Sequence, residues 1–466
     1  MKITIIQNGI KTQKNVAAGT LLIEALGGRV EASCGGKGRC GKCKVIVDGQ
    51  TVLACLTPVD RDMEVILPDD YRAKILTEGI TRDVTPDGEP GLGVAVDVGT
   101  TTIAARLIRL EDGAVLKTVS QLNRQKQFGS DVISRIEKGT PPLHECIIKQ
   151  LNDIISELKG KNEIKRLVFA GNTAMMHFVQ GFSVDTLAVA PYKPYNIEMI
   201  TYDAADLGLD GNFEAIAAPC IAGYVGADTV CAILACQMDM GQETSLLVDI
   251  GTNGEIVLKH EENLLCCSAA AGPAFEGAHI KHGTGSIEGA INKVVIKNGI
   301  HTETIGGKEP IGICGSGIID ATAEMLKNDI IDESGFLEHD FKIAPGIYIT
   351  QSDIREIQLA KSAIRAGIET LLSENGAASA DIKYAYLAGG LGNCADVENA
   401  AYIGLMPAEL KDKAIASGNA ALGGLSGLLV SRRLRDKAKE IAHSVKHVDL
   451  AANAFFQNSF ISNISF

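Results

Sequence analysis

The chain has 466 residues, of which 46% are apolar, and its formal net charge is −13. That length allows about three domains, and the apolar content is enough to fill their cores. The acidic balance and the lack of a lysine- or arginine-rich run argue against nucleic acid or an anionic membrane as the main partner. No apolar stretch free of charges reaches transmembrane length, so we expect a cytoplasmic protein that spans no membrane.

Residues 1 to about 72 form a unit rich in predicted strands. The alternating segment KITIIQ precedes an Asn-Gly dipeptide at 8–9, which is typical of a hairpin turn. The segment TLLIEALG (20–27) predicts a short helix, and KVIVDGQTVLACL predicts a second hairpin around the Asp-Gly pair at 48–49. MEVILP predicts a closing strand, and a Pro- and Gly-rich linker follows at 81–93.

Four cysteines lie on and just after a glycine-rich loop with the spacing C-x5-C-x2-C-x11-C. They are Cys34, Cys40, Cys43 and Cys55. Three thiolates on one loop and a fourth a short strand away suit an iron–sulfur centre, and plant-type [2Fe–2S] ferredoxins use a spacing one residue tighter. Zinc often takes two separated C-x2-C pairs, whereas only Cys40 and Cys43 form such a pair. Disulfides would need a secretory context, and the first residues lack the apolar core of a signal peptide. The spacing therefore favours a [2Fe–2S] cluster.

Two Asp-x-Gly-Thr turns, each at the end of an apolar strand, form a repeat about 150 residues apart. The first lies in GVAVDVGTTT and the second in SLLVDIGTNGE. Asp97 and Asp249 end the two strands, where a carboxylate can hold Mg²⁺ directly or through water. Backbone N–H groups and hydroxyls in such turns donate to phosphate oxygens. The candidate phosphate-binding residues are Thr100, Thr101, Thr102, Gly251, Thr252 and Asn253. The structural alternative is a pair of ordinary hairpin turns.

A third glycine-rich turn, in AYLAGGLGN, follows an apolar strand and precedes a predicted helix. Gly389, Gly390 and Gly392 would let the backbone approach an adenosine closely. Strands alternate with amphipathic helices from residue 93 onward, which predicts an α/β fold with two similar lobes. The order of the three turns resembles that of the ASKHA superfamily, which includes acetate and sugar kinases, heat-shock ATPases and actin. A P-loop motif is missing from the sequence.

The order of the first elements resembles the β-grasp of [2Fe–2S] ferredoxins. The fold class that the two resemblances imply is an N-terminal β-grasp, ferredoxin-like domain followed by a two-lobed, ribonuclease-H-like ASKHA ATPase of the α/β class. The predicted domains are the ferredoxin-like domain at 1–80, a linker at 81–92, ASKHA lobe 1 at 93–240, and lobe 2 with the adenosine loop and a C-terminal tail at 241–466.

The combination of this cysteine pattern with this ATPase resembles the reductive activators of corrinoid proteins. The resemblance covers nearly the whole chain and is carried by NRQKQFGSDVISRI, GNTAMMHF, AGYVGADTV, AAGPAFEGAHI, ICGSGIID and LAGGLGNCADVENAAYIGLMP. It implies an enzyme that hydrolyses ATP to drive an electron from its cluster to an inactive Co(II) corrinoid protein. The product is the Co(I) form used by methyltransferases. The implied partners are that corrinoid protein and an electron donor for the cluster, and a homodimer is left open. Longer members carry an extra domain where this chain has a linker of about twenty residues.

Several further side chains have two interpretations each. Asp228, at the start of an apolar helix, is a candidate catalytic carboxylate near metal or attacking water, as in related ATPases, or a helix cap. Glu276 is a ribose ligand or a solvated surface residue. Asp131 and Arg135, at i,i+4 spacing, are interpreted as a structural pair. His177 is a core histidine or lies near the nucleotide.

Three other functions compete with the corrinoid activator. An activator of a radical dehydratase or reductase also joins an ASKHA ATPase to iron–sulfur chemistry, but it places a [4Fe–4S] cluster between two subunits with cysteines inside the ATPase. A small-molecule kinase with a regulatory ferredoxin domain would need a substrate pocket and a base. A simple electron carrier would not need two phosphate loops.

Overall fold

The computed structural model describes residues 1–7, 10–26, 30, 36, 38, 43–67, 78–129, 131–392 and 395–466. The predicted turn at 8–9 and the two cysteines Cys34 and Cys40 lie outside the described residues. Within the described part, three sheets of five or six strands carry the architecture, and each has its own hydrophobic core.

The N-terminal sheet has a mixed topology, and its order of hairpin, helix, second hairpin and closing strand is the one predicted from the sequence. Its strands are β1 (Lys2–Gln7), β2 (Ile10–Asn15), β3 (Lys44–Val47), β4 (Gln50–Leu53) and β5 (Met63–Ile66), in the order β2-β1-β5-β3-β4. β1 runs parallel to β5, and the other pairs are antiparallel. One face of the sheet buries Ile3, Val45 and Val65 with the helix α1 (Leu22–Leu26), because the apolar positions alternate with a period of two.

The second sheet begins at the first Asp-x-Gly-Thr repeat. Its strands are β6 (Leu92–Val98), β7 (Thr102–Arg109), β8 (Val115–Leu122), β9 (Arg166–Ala170), β10 (Ile200–Asp203) and β11 (Glu214–Ala217), in the order β10-β11-β9-β6-β7-β8. The accompanying helices are α2 (Val132–Ile136), α3 (Thr140–Lys159), α4 (Thr173–Gln180) and α5 (Ala227–Ala235). β6 lies in the middle of the sheet and is apolar on both faces, because helices or other strands cover both sides.

The third sheet contains the second repeat. The strands of this part of the chain are β12 (Ser245–Ile250), β13 (Gly254–His260), β14 (Asn263–Ala269), β15 (Ala290–Ile296), β16 (Ile300–Thr304), β17 (Gly312–Ile313), β18 (Phe341–Ala344), β19 (Ile347–Ile349), β20 (Tyr384–Ala388), β21 (Ala414–Gly418) and β22 (Lys446–His447). The helices are α6 (Gly315–Lys327), α7 (Gln351–Glu374), α8 (Gly389–Gly392), α9 (Val397–Tyr402), α10 (Ala420–Val430), α11 (Arg432–Ser444) and α12 (Ala454–Ser462). The main sheet has the order β21-β20-β12-β13-β14-β22, and two smaller sheets, β16-β15-β17 and β18-β19, lie beside it.

The second and third sheets repeat one topology. In each, the strand ending in the repeated aspartate forms an antiparallel hairpin with the next strand, β6 with β7 and β12 with β13. On its other side that strand runs parallel to a later one, β9 or β20. The internal duplication predicted from the two Asp-x-Gly-Thr turns is therefore present in the strand order as well.

Helix α10 follows β21 of the third sheet in sequence but packs in the core of the second sheet. Its leucines are buried with α5 and β6. The approach to α5 is close, because a Cβ added to Gly424 would lie 2.0 Å from the carbonyl oxygen of Cys231. The domain boundary at 240/241 stays a prediction. The structure adds that residues 420–445 pack in the same hydrophobic core as the second sheet, which lies before that boundary in sequence.

The C-terminal segment packs against α7. The Ser362 hydroxyl donates to the carbonyl of Phe460, and the buried Lys361 ammonium donates to the carbonyl of Ser465 and lies over the ring of Phe466. These contacts show that the C-terminal tail is a packed element of the structure. Among the described residues, no helix combines the length and apolar character needed to cross a membrane.

Candidate functional site

The two repeated aspartates lie at equivalent positions in the two repeated hairpins. Asp97 pairs with Ala104 across β6 and β7, and Asp249 pairs with Glu255 across β12 and β13. Each side chain is half-buried. The pKa of both carboxyls is raised to about 7, chiefly by burial and in smaller part by the negative charge of Asp228, while the hydrogen bond from Asn419 opposes the rise at Asp97. The negative charge of Asp249 also raises the pKa of Asp97, so the two repeated aspartates lie close enough to interact.

Three further carboxyls complete what we call the carboxylate cluster: Asp97, Asp228, Asp249, Glu255 and Glu276. Burial raises the pKa of every member, and repulsion from neighbouring members adds to the rise for Asp97, Asp249 and Glu255. Such mutual repulsion favours binding of a positive charge or a proton. Among the described residues, no three His, Cys, Asp or Glu side chains converge as a preformed metal site.

Glu276 connects the two repeated loops directly. Its carboxylate accepts a hydrogen bond of 2.6 Å from the Thr252 hydroxyl and a longer one of 3.5 Å from the Thr101 hydroxyl. These bonds and the positive charge of Arg135 partly offset the effect of burial on its pKa. The sequence offers two interpretations of Glu276, a ribose ligand or a solvated surface residue, and neither describes its position between the two candidate phosphate loops. The contact with Thr101 joins residues 175 positions apart, so only the tertiary structure shows it.

Asp228 lies in the first turn of α5, but it is not the residue that caps the helix. The N-cap is Gly226, and the Asp228 carboxylate accepts from the backbone N–H of Thr229 at 2.8 Å. Burial raises its pKa to about 6. A carboxylate in the first turn of a helix is favoured by the helix dipole, so this position suits a charged group directed at the site.

A fully buried arginine supports the first loop from behind. Arg135 donates 2.7 Å to the carbonyl of Thr100 and 2.9 Å to that of Gly129, and burial lowers its pKa to about 10. Asp131 caps α2 by accepting from the backbone N–H of Ser134 at 2.8 Å. The negative charge of Asp131 raises the pKa of Arg135, in keeping with a structural pair. In addition, Arg135 holds the backbone of the first loop.

The hydroxyls of the first loop have different surroundings. Thr100 accepts 2.8 Å from the side-chain amide of Asn172, while Thr101 is exposed apart from its bond to Glu276. Thr102 is the first residue of β7. In this loop Gly99 is required, because a Cβ there would lie 2.5 Å from the carbonyl oxygen of Thr102.

The second loop and the glycine-rich turn meet at Asp249. Within the loop, the Gly251 N–H donates 3.0 Å to the carbonyl of Asn253. Gly389 has a φ of +77°, and a Cβ added to it would lie 2.4 Å from Oδ1 of Asp249. The third predicted loop thus begins in contact with the second aspartate. Gly390 and Gly392 continue it as part of α8.

Asn419 belongs to the site, although no motif pointed to it. Its side-chain N–H donates 2.8 Å to Asp97 Oδ2, and its side-chain oxygen accepts 2.7 Å from the N–H of Leu422, capping α10. The only signal in the sequence is the polar residue between a strand and a helix in AIASGNAALGG. His177 has no such role, because its ring is buried and bonded to backbone groups of Thr173 and Tyr195.

Two of the four candidate cluster ligands can be located. The sulfur atoms of Cys43 and Cys55 lie 3.2 Å apart, both buried and neither in a disulfide. Cys43 immediately precedes β3, and its carbonyl accepts from Ala54 N–H at 2.9 Å, which holds the two cysteines side by side. Two adjacent, buried thiols that are not joined in a disulfide fit the soft ligand set of an iron–sulfur cluster.

Three family models match the chain in succession. Residues 5–65 match the 2Fe-2S iron-sulfur cluster binding domain, 92–241 match the RACo middle region, and 243–466 match the C-terminal domain of RACo, the ASKHA domain. The fold class predicted from the sequence is confirmed. The chain thus combines a [2Fe–2S] domain with an ATPase domain of the ASKHA type.

Individual relatives agree with the family models. The chain is 34% identical to the corrinoid activation enzyme RamQ of Eubacterium limosum over 82% of this chain and 72% of that protein. It is 29% identical to the [Co(II) methylated amine-specific corrinoid protein] reductase of Methanosarcina barkeri over 80% and 77% of the two chains. A solved reductive activator for a corrinoid, iron-sulfur protein matches with a TM-score of 0.74 and 27% identity over 100% of this chain and 98% of that one. The chain belongs to the family of corrinoid activation enzymes, and the predicted resemblance is confirmed.

Proposed function

We propose that this protein is an ATP-dependent reductive activator, which passes an electron from its [2Fe–2S] cluster to an inactive Co(II) corrinoid protein and so regenerates the Co(I) form for methyl transfer. The observation that carries the proposal is the joining of two sites in one chain. Adjacent buried thiols lie in the N-terminal sheet, and two equivalent carboxylates lie at the ends of duplicated hairpins.

The nucleotide would lie between the two repeated hairpins. Asp97 and Asp249 would hold Mg²⁺, directly or through water, and the metal would neutralise charge on the phosphates. The hydroxyls and N–H groups of the two loops would donate to phosphate oxygens; the residues are Thr100, Thr101, Thr102, Thr252 and Asn253. Gly251, whose N–H is bonded within the loop, would bind by letting the backbone lie close to the phosphate. Gly389, Gly390 and Gly392 would lie against the adenosine. Asp228 would orient the attacking water from the start of α5.

The N-terminal sheet would hold the electron carrier. Cys43 and Cys55, together with Cys34 and Cys40, would bind the cluster, which supplies one-electron transfer when bound. Both described thiols are buried, so they would limit the access of water to a cluster bound there. The partners would be a corrinoid protein and an electron donor, and the proposed location is the cytoplasm.

The energetic argument is one of differential binding. ATP can drive an unfavourable reduction only if the closed and open forms of the ATPase differ in their affinity for the corrinoid partner. The carboxylate cluster offers a source for such a difference, because its members repel one another until a cation enters.

The test is an anaerobic absorption spectrum of a Co(II) corrinoid protein mixed with this chain, a reductant and Mg-ATP. We expect Co(I) to form only with ATP, and chelation of Mg²⁺ to stop it. Asp249→Asn should keep the cluster spectrum and lose Co(I) formation, whereas Cys43→Ser should lose the cluster spectrum as well. Thr85→Ala, at an exposed position, is the matched control. Steady ATP turnover on a small metabolite without Co(I) would contradict the proposal and favour a kinase.

A further inference from the structure

Residues 78–91, which we call the strap, connect the N-terminal unit to β6 and are bound to the ATPase over much of their length. At the start, the N–H of Ile80 donates 2.9 Å to the carbonyl of Ser417, and the N–H of Asn419 donates 3.0 Å to the carbonyl of Glu78. Gly79 and Gly418 form an isolated β-bridge between these bonds. The strap is therefore attached to the turn that precedes α10.

Glycines make this contact one of backbone against backbone. A Cβ on Gly79 would lie 2.6 Å from the backbone of Asn419, and one on Gly423 would lie 2.1 Å from the carbonyl oxygen of Ile80. Any larger side chain at either position would push the two segments apart. The strap and the first turn of α10 therefore either move as one unit or lose this contact.

Further bonds attach the strap toward its other end. Arg82 donates to both carboxylate oxygens of the buried Asp239, at 2.9 and 3.0 Å. The N–H of Asp87 donates 2.9 Å to the carbonyl of Val430, at the end of α10, and its carboxylate accepts 2.8 Å from the N–H of Arg432. The strap thus follows α10 from its first residue to its last.

Asn419 is the point where the strap, α10 and the nucleotide site meet. Its backbone N–H donates to the strap, its side-chain oxygen caps α10, and its side-chain N–H donates to Asp97. A change at the Asp97 carboxylate therefore reaches the strap through one residue.

We propose that Asn419 is a positioning residue that couples the occupancy of the site at Asp97 to the position of the strap, and so to the cluster-bearing unit in front of it. The inference rests on the proposed nucleotide site. A ligand that draws the Asp97 carboxylate away from Asn419 removes one of the bonds that fix the turn under Gly79. By linkage, the state of the strap changes the affinity of the site by the same factor.

The test is hydrogen–deuterium exchange of the cluster-loaded, full-length protein under anaerobic conditions, with and without Mg²⁺ and a non-hydrolysable ATP analogue. Calorimetry first establishes binding and the saturating concentration. We expect the exchange rate of a peptide covering 78–84 to change several-fold on binding. Asn419→Ser keeps a residue that caps helices well but cannot reach Asp97 with an amide, and it should abolish that change. Thr85→Ala, exposed in the same strap, should retain it.

A second variant tests the same coupling from the other side. Gly79→Ala leaves Asn419 and Asp97 intact but forces the strap away from the turn. It should raise exchange in 78–84 without nucleotide and alter the dissociation constant of the analogue about fivefold or more.

The outcomes separate the two proposals. Analogue binding with unchanged exchange in the wild-type strap, or an unchanged response in Asn419→Ser, would overturn the coupling and leave the nucleotide site standing. Failure of the wild-type protein to bind the analogue would overturn the proposed function and the coupling with it.

Discussion

Replacing Gly389 by alanine is the sharpest test of the geometry around Asp249. The new Cβ would lie 2.4 Å from Oδ1 of Asp249, whereas ordinary contacts begin at 3.4 Å. The carboxylate must therefore move by about 1 Å, and a displacement of that size in a reacting site costs on the order of 100-fold in rate. The φ of +77° adds a backbone cost of about 1–2 kcal/mol for any residue with a Cβ.

A matched control separates the displacement from the strain. Gly376 has a φ of +62°, and a Cβ there would meet nothing within 4 Å. Gly376→Ala should therefore share the loss of stability and keep its ATP turnover. The assays are the thermal unfolding midpoint and ATP hydrolysis with Mg²⁺, after the visible spectrum has shown an intact cluster.

Two results would refute this reasoning. Turnover of Gly389→Ala within threefold of the wild-type rate would mean that Asp249 does not need its present position. An equal loss in Gly376→Ala would mean that backbone strain alone reduces activity.

The remaining predictions concern three buried basic side chains. Arg135→Met should lower the unfolding midpoint and weaken nucleotide binding at least tenfold, because the half-buried carbonyl of Thr100 loses its partner at a cost of about 1–3 kcal/mol and the first loop loses its support. Unchanged binding in calorimetry would contradict this prediction. Burial lowers the pKa of His177, so the unfolded chain binds that proton more tightly and stability should fall as the pH drops below 6.5. His177→Asn, which cannot titrate, should flatten that part of a pH series of denaturation midpoints, and an identical slope would refute the assignment. Burial also lowers the pKa of Lys361 from 10.5 to about 8, so the unfolded chain again binds more protons than the folded chain. Stability should therefore increase as the pH is raised from about 8 to 10.5. Lys361→Met should remove that rise, and a persisting rise would show that other groups cause it.

The pH dependences of the two basic groups have one origin. In both, burial disfavours the charged form, and the charged form is regained on unfolding. The effect is therefore strongest where a polar side chain is enclosed by apolar neighbours, as in α4 and α7.

Local patterns in the sequence determined the fold class and most of the site. An apolar strand followed by Asp-x-Gly-Thr predicts its own hairpin, since strand period and turn chemistry depend only on neighbours along the chain. The same holds for the cysteine spacing, which limits the cluster to one loop and the strand hairpin after it. The roles of the individual site residues stay predictions, and the structure brings Asp97, Asp249, Asp228 and Gly389 together.

Contacts between distant segments were decided only by the tertiary structure. Asn419 and Asp97 are 322 residues apart, and Glu276 and Thr101 are 175 apart. Neither pair has a periodic or turn signal, because their meeting depends on how two sheets pack and on where α10 crosses from one to the other. The strap is the same case: its Pro- and Gly-rich part predicts a linker, and only its contacts with α10 and with the turn before it show that it is attached. The sequence alone therefore determined which chemistry is present, and packing determined which groups can act on one another.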